Sequence, residues 1–218
     1  KMKHLRSTLR PNFVEKIKCI DLFCGVGGLT YGLQKEGLKI EAGFDIDLAA
    51  QYPFEHNNSA KFILRDVCEV RAEEINQLFG DAEIRILAGC APCQPFSTYS
   101  HRYKTVGTPR WGLLYQFAKL VRETRPEIVT MENVPSVTNH SVYSDFVDNL
   151  KSAGYKVANQ IIDCTKYGLP QKRQRAVLIA SLLGPMALSE PTTIMPKVVR
   201  SAIGHLPALD AGAFDPDD

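Results

Sequence analysis

Residues 84–97 have the sequence IRILAGCAPCQPFS, in which an apolar run leads directly into Cys, Pro, Gln and Ser. The run at residues 84–87 is typical of a buried strand. In open α/β sheets, ligands bind outside the carboxyl ends of the strands, so a thiol that follows a strand directly is expected at such an edge. We therefore expect Cys93 to be a nucleophile to which the other elements present two substrates.

Strand and helix patterns alternate along most of the chain. Helix 113–124 is the clearest, because Leu113, Phe117, Leu120 and Val121 fall on one face. Strands are predicted at residues 18–23, 40–44, 61–64, 84–88, 128–131, 157–162 and 176–181, and helices at 29–36, 48–56, 73–79, 113–124 and 146–153. This alternation predicts an α/β fold with a doubly wound, mostly parallel sheet.

Composition narrows the class of protein. The chain has 218 residues, 44% of them hydrophobic, which suffices for one sizeable core. No apolar run approaches the roughly 20 residues that span a bilayer, and the basic start lacks the apolar stretch of a signal peptide. Six cysteines without such a signal indicate reduced thiols and an intracellular location, either a bacterial cytoplasm or a eukaryotic nucleus.

Charge alone does not indicate nucleic acid, because the net charge is only +2. Basic residues cluster at positions 1–10, 101–110 and 172–175. Segment 98–111 has no periodicity and is predicted to be a long loop of the functional kind. Its position directly after Cys93 would allow its basic side chains to contact phosphates.

Several polar residues follow predicted strands. The first strand ends in a glycine-rich turn, and Asp45 lies 20 residues after Gly25, the spacing at which an acid meets ribose hydroxyls in nucleotide-binding folds. Asp66 and Glu132 follow the third and fifth strands. Taken singly, Asp45 and Asp66 are equally well explained as helix caps. For Glu132, membership of an ordinary ion pair is the less favoured alternative. Tips of adjacent parallel strands share one edge, so we expect these groups to form one site.

Cys90 and Cys93 form a C-x-x-C pattern, which also occurs in redox pairs and as half of a zinc site. A zinc site needs further ligands, and the sequence has no second C-x-x-C and no H-x₃₋₅-H pair. A redox interpretation leaves the glycine-rich turn and Glu132 unexplained. We therefore expect no metal, and interpret Cys90 as a small buried residue.

Four motifs, in order, resemble those of the DNA (cytosine-5) methyltransferases. Residues 21–28 (DLFCGVGG) are similar to the family's S-adenosylmethionine loop, and residues 92–94 (PCQ) to its catalytic thiol motif. Residues 132–134 (ENV) and 171–175 (QKRQR) resemble the motifs that contact the target cytosine. The resemblance covers residues 18–182 and implies a Rossmann-like S-adenosylmethionine methyltransferase fold.

The resemblance also implies a role for each matching residue. Cys93 would be the nucleophile, while Glu132, Arg175 and Arg173 would hold the flipped base. The cofactor would be S-adenosylmethionine, released as S-adenosylhomocysteine. Its binding residues would be Phe23, Gly25, Gly27, Gly28, Asp45, Ile46, Asp66, Val67, Pro92 and Leu113.

The reaction implied is methyl transfer to C5 of cytosine in DNA, as in restriction–modification, through a covalent bond between Cys93 and C6. Residues 1–17 are expected to be an extension, 18–183 the catalytic domain, and 184–218 a Pro/Gly-rich tail leading towards an absent target-recognition region. The family's last motifs are also absent, so a second chain or segment is expected to supply recognition. Methylation of cytosine in RNA, and a non-catalytic or partner-dependent subunit, remain alternatives.

Overall fold

The computed structural model describes residues 16–92, 112–191, 195 and 197–206. The seven strands of its single sheet are β1 Ile17–Leu22, β2 Lys39–Asp45, β3 Lys61–Leu64, β4 Ile84–Gly89, β5 Ile128–Asn133, β6 Lys156–Asp163 and β7 Gln174–Ser181. The described residues also form six α-helices: α1 Gly28–Lys35, α2 Gln51–Asn57, α3 Ala72–Phe79, α4 Gly112–Thr124, α5 Ser141–Ser152 and α6 Val199–Ile203. Short 3₁₀ helices occupy Leu48–Ala50, Val67–Glu69, Pro135–Asn139 and Cys164–Tyr167.

The strand order is β3-β2-β1-β4-β5-β7-β6. The first five strands in this order are parallel, whereas β7 is antiparallel to both β5 and β6. After β1, the chain first adds β2 and β3 on one side and then adds β4 and β5 on the other side. This change of direction creates the crevice where open α/β sheets bind ligands. The predicted doubly wound, mostly parallel α/β fold is confirmed.

Helices cover the sheet because alternate strand residues point to opposite faces. Ile20 and Leu87 join the main core with side chains of α3, α4 and α5. Cys19 and Ile86 join a smaller cluster on the other face, with Leu29 of α1 packed against it. A third cluster is built around Phe54 of α2. The sheet is therefore the middle of three layers.

Helix α4 buries Phe117, Leu120 and Val121 as its apolar spacing predicts. Its fourth buried apolar side chain is Leu114, whereas Leu113 is only partly buried. Leu113 lies on the same face at the start of the helix, where its partial burial leaves it available for another contact.

Helix α5 begins at Ser141, five residues before the predicted start at Phe146. Its first turn follows a 3₁₀ helix and has no side-chain cap, so the sequence lacks the usual start signal. Along the described part of the chain, no helix combines the length and the apolar character needed to cross a membrane.

Candidate active site

The glycine-rich turn after β1 is tied to the end of β2 by Asp45. One carboxylate oxygen, Oδ2, accepts a 2.8 Å hydrogen bond from the backbone N–H of Gly25, and Oδ1 accepts a 2.9 Å bond from the N–H of Asp47. Asp45 is 5% exposed. The carboxylate therefore fixes the turn, and its remaining lone pairs stay available to a ligand.

The three glycines predicted to bind the cofactor differ in their surroundings. A Cβ on Gly27 would lie 2.3 Å from Nδ2 of Asn58 and 2.8 Å from Cδ2 of Phe54, and its φ is +88°. Gly27 is thus required by the packing of α2 against the turn. A Cβ on Gly25 or Gly28 would meet nothing within 4 Å, so these two positions leave the backbone open to a ligand.

A pocket opens beside this turn at the ends of β1, β2 and β3. It is lined by Phe23, Asp45, Ile46, Arg65, Asp66, Val67 and Leu113, six of which were predicted from the sequence to bind the cofactor. The seventh, Arg65, was not predicted. Apolar walls with carboxylates among them suit a nucleoside, which has a flat base and polar ribose hydroxyls.

Asp66 also has the capping role that the sequence left open. Its Oδ1 accepts a 2.8 Å hydrogen bond from the N–H of Cys68 at the start of a 3₁₀ helix. The cap fixes the turn at Val67, so the carboxylate shapes the pocket that it lines.

Gln116 on α4 was missed by the sequence analysis. Its Nε2 donates a 3.2 Å hydrogen bond to the carbonyl oxygen of Val67. Leu113, almost one turn earlier on the same helix, lines the pocket. Helix α4 therefore fixes one wall of the pocket through both residues. The one sequence feature that could have indicated this role of Gln116 is its position directly before Phe117 on the apolar face of the helix.

Glu132 and Arg175 form an ion pair at the same edge of the sheet, on β5 and β7. Nε of Arg175 lies 2.6 Å from Oε1 of Glu132, and Nη2 of Arg173 lies 3.8 Å from that oxygen. The antiparallel register places Glu132 opposite Val177, which brings residue 175 beside it. All three predicted residues therefore meet, and the charge-assisted contact orients the carboxylate.

Asn133 links β5 to the chain that leaves β4. Its Nδ2 donates a 2.8 Å hydrogen bond to the carbonyl oxygen of Ala91, and its Oδ1 accepts a 2.8 Å bond from the N–H of Val134. The side chain is buried. Ala91 directly precedes Pro92, whose place among the cofactor contacts stays a prediction because Pro92 does not line the described pocket.

Cys93 lies outside the described residues, as does the basic segment 101–110. The other member of the C-x-x-C pattern is described. Burial, followed by the nearby charges of Asp21 and Glu132, raises the pKa of the Cys90 thiol well above its usual value. Cys90 is therefore protonated at neutral pH and unsuited to act as a nucleophile.

Asp21 is fully buried at the end of β1, behind the glycine-rich turn. Its Oδ2 accepts a 2.7 Å hydrogen bond from the hydroxyl of Thr30 in α1, while Oδ1 has no partner among the described residues. Burial raises the pKa of this carboxyl to about 7, against the bonds from Thr30 that lower it. Through the bond to Thr30, Asp21 holds α1 against the sheet. The protonation state of this carboxyl changes near neutral pH.

The described ranges contain no group of three or more His, Cys, Asp or Glu side chains arranged to hold a metal ion. The five cysteines in these ranges, at positions 19, 24, 68, 90 and 164, are free thiols.

Comparison with known proteins identifies the class to which this edge arrangement belongs. The family model for C-5 cytosine-specific DNA methylase matches residues 17–205, which include both the pocket and the Glu132–Arg175 pair. The chain belongs to the C-5 cytosine-specific DNA methylase family. Members of this family are S-adenosylmethionine-dependent methyltransferases.

Curated relatives agree with this assignment to the cytosine methylases. Type II methylase M.HgiDII of Herpetosiphon aurantiacus is 43% identical over 192 residues, covering 86% of this chain and 54% of that protein. Type II methyltransferase M.HindV of Haemophilus influenzae is 32% identical, covering 87% of this chain and 62% of that protein. The chain therefore spans about half to three fifths of the length of these relatives.

Solved structures of methyltransferases have the same fold. An E. coli prophage-encoded protein assigned as a DNA modification methyltransferase superposes with a TM-score of 0.71 at 27% identity, over 88% of this chain and 56% of that one. The S. pombe Dnmt2 methyltransferase superposes with a TM-score of 0.62 at 19% identity, over 78% of this chain and 51% of that one, which supports the fold alone.

Proposed function

We propose that this chain contributes the catalytic centre of an enzyme that transfers a methyl group from S-adenosylmethionine to C5 of cytosine in DNA. Membership of the cytosine methylase family supports the proposal. The observation that carries it is the arrangement at one sheet edge. Support comes from the 2.8 Å bond between Asn133, next to Glu132, and Ala91, two residues before Cys93, and from the strand order, in which β4 lies between the pocket strand β1 and the strand of Glu132.

The pocket beside β1 to β3 fits the proposed cofactor. Phe23, Ile46 and Val67 supply apolar walls for an adenine ring, and Asp45 and Asp66 supply acceptors for ribose or adenine donors. The open backbone at Gly25 and Gly28 leaves room for the rest of the molecule. When bound, this cofactor supplies an electrophilic methyl group.

Cys93 would act on the cytosine ring. C5 is a poor nucleophile until a thiolate adds to C6, which moves electron density onto C5. The new S–C6 bond breaks again when the proton leaves C5 after methylation. A cysteine is suited to both steps, because a thiolate is a strong nucleophile and a good leaving group.

Glu132 and Arg175 would hold the base in place. A carboxyl group at the N3 edge of cytosine draws charge from the ring as the thiolate adds, and the guanidinium contact fixes the direction in which the carboxyl points. Arg173 adds positive charge on the same side. Since the reacting atoms are stacked inside a duplex, the target base must be rotated out to reach this pair.

Selection of the DNA site is proposed to depend on further polypeptide, in the same chain or in a partner, because the curated relatives extend well beyond the matched region. An intracellular place of action accords with this proposed substrate.

Covalent trapping tests the proposal. The full-length protein is incubated with S-adenosylmethionine and a duplex that carries 5-fluorocytosine, in which the C5 fluorine cannot be removed as a proton. We expect a DNA adduct that survives denaturation, is lost in Cys93→Ser, and persists in the matched control Cys90→Ser. An adduct that persists in Cys93→Ser would refute the assigned nucleophile, and trapping on RNA but not on DNA would refute the assigned substrate.

A further inference from the structure

A cleft of about 340 Å³ lies between the C-terminal parts of α4 and α5. Its floor is apolar, because Val121, Phe146 and Leu150 are buried side chains of the main core. Arg122 and Arg125 also line the cleft, and no acidic side chain does so among the described residues. A cavity of this volume lies in the size range of pockets that bind small molecules.

The cleft is separate from the proposed active site. Leu113, in the first turn of α4, lines the cofactor pocket, whereas Arg122 lies nine residues later in the same helix. At 1.5 Å per residue, this separation corresponds to roughly 14 Å along the helix axis. The two cavities have no lining residue in common. The cleft therefore needs an explanation of its own.

The two arginines of the cleft are exposed and have no acidic partner in the part of the chain that the structure describes. The arginine ion pairs found there involve positions 65, 71, 85, 173 and 175 instead. An unpaired guanidinium group can form charge-assisted hydrogen bonds with an anion. Two such groups beside one apolar cavity favour a ligand that has both an anionic group and an apolar body.

The backbone at Arg125 supports this interpretation. Its φ is +50°, directly after the end of α4, where glycine is the usual residue. Its N–H donates a 2.8 Å hydrogen bond to the carbonyl oxygen of Val121, and its own carbonyl oxygen accepts a 2.7 Å bond from Nη2 of Arg85. Glycine would suit this fixed backbone better, so the strain of an arginine here is explained if its side chain serves the cleft.

We propose that this cleft binds a small organic anion. The aromatic or aliphatic body of the ligand lies on the apolar floor, and its carboxylate or phosphate group is held by Arg122 and Arg125. The planar guanidinium group matches the paired oxygens of both kinds of anion, and the ring of Phe146 suits an aromatic body. The proposal does not depend on the proposed methyl transfer, because the two sites share no residue.

The test is calorimetric titration of the full-length protein with 4-phenylbutyrate and with phenyl phosphate. Two further compounds separate the contributions of charge and of apolar contact. 4-Phenylbutylamine has the apolar body of the first probe with a positive charge, and acetate has the carboxylate without the body. We expect at least one of the two aromatic anions to bind, and both control compounds to bind at least about tenfold more weakly.

Variants then locate the site. Arg122→Gln/Arg125→Gly should weaken binding by about tenfold or more, and the glycine suits the positive φ, so the fold should be kept. Lys119→Gln/Lys151→Gln removes the same charge from exposed positions on the same two helices that do not line the cleft, and should change the affinity by less than about twofold. Ala118→Leu places a larger side chain in the cleft and should also weaken binding.

The other outcomes would each overturn the proposal. Binding of neither aromatic anion to the wild type would refute an anion site, and so would equal binding of 4-phenylbutylamine. Equal losses in the arginine and lysine variants would show that overall charge attracts the ligand. An unchanged affinity in Ala118→Leu would refute the cleft as the place of binding.

Discussion

The side-chain amide of Asn133 donates a 2.8 Å hydrogen bond to the carbonyl oxygen of Ala91, two residues before Cys93. The bond joins the strand that carries Glu132 to the chain that enters the nucleophile. It makes the relative position of the two proposed catalytic groups depend on one buried amide.

We expect Asn133→Asp to lower the rate of methyl transfer by roughly tenfold or more, because it removes a buried donor and sets a carboxylate oxygen against the carbonyl oxygen of Ala91. The variant keeps the acceptor for the N–H of Val134. Single-turnover methylation measures the effect. Asn149→Asp, which removes an exposed 2.8 Å amide-to-carbonyl bond on α5, is the matched control. An equal loss in both variants would contradict a positioning role.

Gln116→Leu should weaken cofactor binding several-fold with little change in the rate at saturating cofactor. The substitution removes the 3.2 Å bond to Val67, so the wall formed by the Asp66–Val67 turn is no longer held by α4. Calorimetry with S-adenosylhomocysteine measures the dissociation constant, and Gln77→Leu on exposed α3 surface serves as control. An unchanged dissociation constant would show that the turn does not need this bond.

Gly27→Ala and Gly28→Ala should separate stability from ligand binding. At Gly27 a Cβ would lie 2.3 Å from Asn58, and the positive φ adds strain, so we expect a loss of about 2–4 kcal/mol in the free energy of unfolding. At Gly28 nothing lies within 4 Å, so stability should be kept or slightly raised. Urea unfolding and cofactor titration test both. We expect Gly28→Ala to bind the cofactor more weakly at unchanged stability, because the backbone at this position lies close to the ligand.

Asp21 should make stability fall as pH rises. Its carboxyl has a pKa of about 7 in the folded protein against 3.8 as its usual value, so between these values the folded state binds a proton that the unfolded state has lost. Each pH unit in this window then lowers the free energy of unfolding by up to about 1.4 kcal/mol.

The measurement is urea unfolding at pH 5 and pH 8. Asp21→Asn keeps an acceptor for the Thr30 hydroxyl but does not titrate. Between these two pH values, its free energy of unfolding should therefore fall by about 3 kcal/mol less than that of the wild type. Asp148→Asn, at an exposed position on α5, should behave as the wild type. Equal falls in wild type and Asp21→Asn would show that this carboxyl is already charged at pH 5.

Local sequence patterns were enough to predict the fold class and the edge of the sheet at which the site lies. Period-two and period-3.6 apolar patterns are local, so they located every strand of the sheet within a few residues. Parallel strands bring their carboxyl ends to one edge, which is why Asp45 and Asp66, 21 positions apart in the chain, could be predicted to meet.

The side chains that support the site could be identified only in the folded chain. Asn133 and Gln116 form hydrogen bonds with residues 42 and 49 positions away, Ala91 and Val67. Such contacts depend on strand order and on the packing of α4 against the sheet, which no local pattern encodes. The same reason applies to Gly27. Its sequence context suggests ligand binding, and only the close approach of Phe54 in α2 and of Asn58 directly after that helix shows that packing requires a glycine there.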